Sequence, residues 1–139
     1  MDRRDRVGVI AINVILFALL FGLVSLNKGI LRPAFSHIPF LGILTGSFPN
    51  FAAACIISLT SAVAVLIREP KQGRLIVYVA CLLVFAILTL EEFRPMWGAS
   101  THFDSFDILA SGLGALVSIG IYELIVLRRK LKTAQAKLR

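Results

Sequence analysis

Acids are scarce in this chain. Its 139 residues hold eight Asp and Glu against fifteen Lys and Arg, a formal net charge of +7. Cysteine is nearly absent too. Cys55 and Cys81 both fall inside apolar runs, which excludes a disulfide framework, and they read as thiols packed as small hydrophobes. The two histidines, His37 and His102, lack metal-ligand spacing. Ser36-His37 and Thr101-His102 have no neighbours that would make a nucleophilic triad. No metal or other cofactor is expected, and no repeat or low-complexity tract stands out.

Apolar side chains are what the chain has in excess. Hydrophobic residues make up 58% of it, against about 45–50% in ordinary soluble domains, and the mean hydropathy is +0.85. The length allows one domain. A soluble domain of that size has too little interior for so much apolar surface, so the bilayer must take the rest. The basic surplus does not point to nucleic acid, because it lies between and beyond the apolar runs. Membrane orientation and anionic headgroups explain it better, and the expected partner of the basic tail is the lipid surface.

The pattern predicts an all-α membrane domain of four helices, with spans near 7–26, 51–67, 75–94 and 105–127. The run from Val7 to Leu26 is 20 residues, about 30 Å as a helix, which matches the hydrocarbon core. It is longer than a signal-peptide core of about 7–15 residues and ends without a small-residue cleavage pattern, so a retained helix is expected. Between Asn27 and Asn50, Pro33, Pro39, Pro49, Gly42 and Gly46 argue against one continuous helix. The apolar middle, 38–44, is too short to span; it would lie in the interface or form a re-entrant segment, and the interface is expected because re-entry needs protein cover for its backbone polar groups. The third run, Leu75 to Leu90, is 16 residues, so its helix should continue through Glu91 and Glu92 toward Arg94. Pro95 would end it, with Trp97 at the interface. The fourth helix, from Ser105 to about Leu127, leads into a basic tail, 128–139.

Lys and Arg number three before the first span, three between the second and third, and six in the tail. The other two connections hold two and one. Twelve against three places both termini in the cytoplasm by the positive-inside rule.

Polar residues near membrane depth are candidates for function. Half of the acids gather where the third and fourth spans meet: Glu91, Glu92, Asp104 and Asp107, with Arg94 and His102. Glu91 and Arg94 share a helix face and form either a site or an interfacial ion pair. Asp104 suits helix capping. Asp107 heads a stripe of small residues, Ser111, Gly114 and Ser118, that would let another helix approach closely, which makes the fourth helix the expected packing centre. Asn13, in the first span, reads as an inter-helix hydrogen-bonding residue, and Glu123 as one half of a structural ion pair.

The segment Glu91-Glu92-Phe93-Arg94, with the run from Phe103 to Ala115, resembles the C-terminal signature of VanZ-like membrane proteins. That signature has a Glu ending one helix, a Gln soon after, an Asp opening the next helix, an Asn four residues on and a Gly three beyond. Glu91 (or Glu92), Asp107 and Gly114 match in type and spacing. Arg94 stands in place of Gln and Ser111 in place of Asn, and the signature's loop Arg is missing. The resemblance covers about a third of the chain. It implies a small helical protein of the bacterial inner membrane, multi-pass, of unassigned biochemical activity.

Three functions compete. An outward-facing polar site at the last hairpin, built from Glu91, Glu92, Arg94, Asp104, Asp107 and Ser111, would bind a cell-envelope or lipid-linked molecule. Alternatively, helix packing through Gly114 and Ser118 would make the chain an accessory subunit of a larger membrane complex or a homo-oligomer. A small transporter is the third, weakened because no span carries a mid-membrane ionisable residue. Two neighbouring carboxylates can serve as acid and base, but they are too common at helix starts to establish an enzyme.

Overall fold

The computed structural model describes residues 3–93 and 105–137. All regular structure there is helical: α1 (Arg3–Leu26), a π-helical stretch (Asn27–Leu31), α2 (Arg32–Phe35), α3 (Pro39–Arg68), α4 (Gly73–Phe93) and α5 (Ser105–Lys137). Four helical segments are long and apolar enough to cross a bilayer: Ile10–Phe35, Pro39–Arg68, Gly73–Phe93 and Ser105–Leu131. The chain is a multi-pass, all-α membrane protein. Arg94, Pro95, Trp97, His102 and Asp104 lie outside the described residues.

The largest departure from expectation is in residues 27–50. The stretch is not irregular. It is a helical hairpin, turning only at residues 36–38. Each proline occupies a place where its missing N–H costs little. Pro39 opens α3, where that N–H would be unsatisfied anyway. Pro33 is in the first turn of α2, directly after the π-helical stretch, whose wider turn accommodates the ring. Pro49 lies inside α3, and there the loss falls on the carbonyl four residues back, Thr45. The Asn27 side-chain amide donates to that carbonyl at 2.7 Å. Asn27 is fully buried. A side chain from the preceding helix thus replaces the backbone donor that α3 lacks.

α3 is the packing centre, touching α1, α4 and α5, while α1 packs on α3 alone among the four spanning helices. This corrects the expectation that the last helix would hold that place. Small residues explain it: Ala52, Ala54, Ser58 and Ala62 are buried along α3 and let three neighbours come close. α1 presents one stripe inward, Asn13, Leu16, Leu20 and Val24, at helical spacing, and Asn27 of the π-helical stretch continues it. The other residues between 10 and 26 face outward, where lipid replaces a protein core.

The α3–α5 contact is the most extensive. A Cβ on Gly114 would lie 2.9 Å from Ala54 Cβ and 2.9 Å from Cys55 N, so only glycine fits there. One turn further on, buried Ser118 donates to Cys55 O at 2.8 Å and lies 3.1 Å from Gly114 O. Val77 and Cys81 of α4 complete the core with Ala62, Val65, Ala115 and Tyr122.

The end of the bundle at residues 66–74 is clamped by charge. The Arg74 guanidinium binds Glu123 at 2.7 Å, and the Tyr78 hydroxyl donates to the other oxygen of Glu123 at 2.9 Å. Glu123 therefore has the structural ion pair that its position suggested. Arg129 donates to Glu69 at 2.9 Å and to Leu66 O at 3.0 Å, capping the last turn of α3. Glu69 itself ends that helix in the left-handed conformation, with φ of 47°.

Candidate functional site

The opposite end carries a polar recess of about 350 Å³. Helix spacing builds it. Leu88, Glu91 and Glu92 lie on one face of the last turns of α4, three and four residues apart. Asp107, in the first turn of α5, faces them, where a carboxylate also complements the helix dipole. Gly46, Pro49 and Asn50 close the recess from α3. Lys28 and Arg32, four apart across the π-helical stretch, bring two cations from the first hairpin.

Three of the residues expected at a site, Glu91, Glu92 and Asp107, are therefore brought together. Ser111 is not part of the lining. It is buried, and its hydroxyl donates to Asp107 O at 2.9 Å, which ties it to the backbone of its own helix. Gly114 and Ser118 face α3 and set the helix contact described above. Since α3 fills that stripe, it offers no face to an outside subunit. Asn13 does not behave as expected: its Oδ1 is shielded yet has no hydrogen-bond partner among the described residues.

Sequence reasoning missed Lys28, Arg32 and Asn50. The signal was present, since positions 28 and 32, and 46 and 50, have the i, i+4 spacing of one helix face. It was hidden because three prolines argued against a helix there.

The arrangement sets two cations against three carboxylates around one opening. An arginine fork and an ammonium recognise phosphate or carboxylate, while carboxylates accept from amines and hydroxyls. The first hairpin also extends past the opening. Gly46 and Asn50 are seven and eleven residues from the start of α3, which is about 10–16 Å of helix at 1.5 Å per residue. Among the described residues no group of three or more His, Cys, Asp or Glu could hold a metal ion.

The chain matches no family model, no curated protein and no solved structure.

Proposed function

We propose that this membrane protein binds the polar headgroup of a lipid-linked or cell-envelope molecule in the recess between Glu91 and Asp107. The protein would sit in a bacterial cytoplasmic membrane with both termini inside and the recess facing outward. One observation carries the reading: Lys28 and Arg32 of the first span, Glu91 and Glu92 of the third and Asp107 of the fourth converge on one opening where α4 ends and α5 begins. Buried or interfacial charge is costly unless used. A recess bearing both signs suits a headgroup with a phosphate beside hydroxyl or amine groups. The imbalance of basic residues, twelve against three, supports the orientation. The VanZ-like resemblance, which includes Glu91, Asp107 and Gly114, is in keeping with an envelope role.

The full chain, extracted from its native membrane in gentle detergent and weighed intact, tests this. The expected particle carries a bound small molecule that is lost in Glu91→Gln combined with Asp107→Asn, at unchanged membrane abundance. A bare wild-type particle, or equal retention by the variant, would count against it. The same measurement reads the accessory-subunit alternative, which α1 favours: it packs only on α3 and leaves residues such as Phe21, 77% exposed, on its outer face. A second polypeptide or a second copy in the particle would support that reading.

A further inference from the structure

A second recess, of about 410 Å³, opens at the other end, where α3 ends, α4 begins and α5 leaves toward the tail. Its floor includes Val65 and Val126, and four basic side chains line it: Lys71, Arg74, Arg129 and Lys130. The volume is that of a small-ligand site.

The charge balance there is one-sided. Two carboxylates come near, and each is already held by a guanidinium, Glu69 by Arg129 and Glu123 by Arg74. The negative end of α3 is also satisfied, because Glu69 N–H donates to Val65 O and Arg129 to Leu66 O. What remains is positive. Lys71 and Lys130 are exposed, and neither forms an ion pair among the described residues. The α4 N-terminus adds the positive end of its dipole. Beside this rim, Leu75, Leu127 and Leu131 are more than half exposed, as expected of lipid-facing surface.

We propose that this recess binds the phosphodiester headgroup of an anionic glycerophospholipid, with the acyl chains lying along the exposed apolar flank. The apolar floor and flank favour a lipid over free phosphate, which would use the basic rim alone. Basic recesses between helices at a membrane surface suit such headgroups. The site is distinct from the Glu91–Asp107 recess, shares no residue with it, and does not depend on which end faces the cytoplasm.

The test is native mass measurement of the full chain with added phosphatidylglycerol or phosphatidylcholine. Wild type should retain phosphatidylglycerol preferentially. Lys71→Gln with Lys130→Gln should weaken that retention about fivefold per lysine, about 25-fold for the pair. Lys132→Gln with Lys137→Gln, an equal charge change further along the tail, should weaken it several-fold less, as expected of tail lysines that meet only the general lipid surface. Both side chains in the recess variant are exposed, so its helicity and unfolding temperature should match wild type. Undiminished retention by the recess variant, equal loss in the tail variant, or no preference for the anionic lipid would overturn the proposal. Displacement of the lipid by millimolar inorganic phosphate would overturn the lipid assignment as well.

Discussion

The Asn27 side-chain amide donates to the Thr45 carbonyl, 2.7 Å away, the group that Pro49 leaves without its helical partner. Two residues 18 and 22 positions apart from Asn27 thereby share one acceptor problem, and the first hairpin solves it. This gives a double-mutant prediction. Asn27→Ala alone should destabilise the fold by about 1–3 kcal/mol, the cost of stranding a buried carbonyl. In a Pro49→Ala background, residue 49 regains an N–H that reaches Thr45 O, and the cost of losing Asn27 should shrink. Reversible unfolding in bicelles measures both, with a coupling of at least about 0.5 kcal/mol expected.

Gly114 sets the distance between α3 and α5. Gly114→Ala places a Cβ 2.9 Å from Ala54 Cβ, so the helices must separate. A loss of about 1–3 kcal/mol is expected from overpacking, and a larger loss for Gly114→Leu. Gly120, on the same helix, has nothing within 4 Å of the equivalent Cβ. Gly120→Ala should be neutral or slightly stabilising. Thermal unfolding of the three variants in detergent checks the order.

The charge clamps at the other end should contribute little to stability. Arg74 and Glu123 have side chains 56% and 32% exposed, so screening keeps their pair to no more than about 1 kcal/mol. Arg74→Ala should therefore cost much less than Asn27→Ala in the same unfolding assay. Glu69→Gly should be close to neutral: it loses an exposed ion pair but relieves a left-handed backbone that favours glycine.

The spanning helices were legible because apolar runs of sufficient length have few alternatives in a 139-residue chain. The acids at Glu91 and Asp107 were legible because charge near the end of a span is unusual. The first hairpin was hidden. Proline is a local signal against helix, and what overrides it at Pro49 is a tertiary contact from Asn27, 22 residues earlier, that no local pattern reveals. With the hairpin hidden, Lys28 and Arg32 could be counted only toward orientation. The α5 stripe was legible as a packing face, but its partner was not. Ala52, Ala54, Ser58 and Ala62 are ordinary residues in any apolar run, and only their shared burial marks α3 as the centre.

If the first hairpin and the α4–α5 pair enclose a headgroup site, as proposed, a molecule with a specific polar headgroup lies beside Leu88. A photoreactive side chain at Leu88, on the recess wall, tests it most directly in intact cells, with Phe21 on the outer face of α1 as the bulk-lipid control. Position 88 should capture a polar-headgroup molecule that position 21 does not, and Glu91→Gln with Asp107→Asn should abolish this capture alone. Identical lipid adducts from both positions, unchanged by those substitutions, would contradict it.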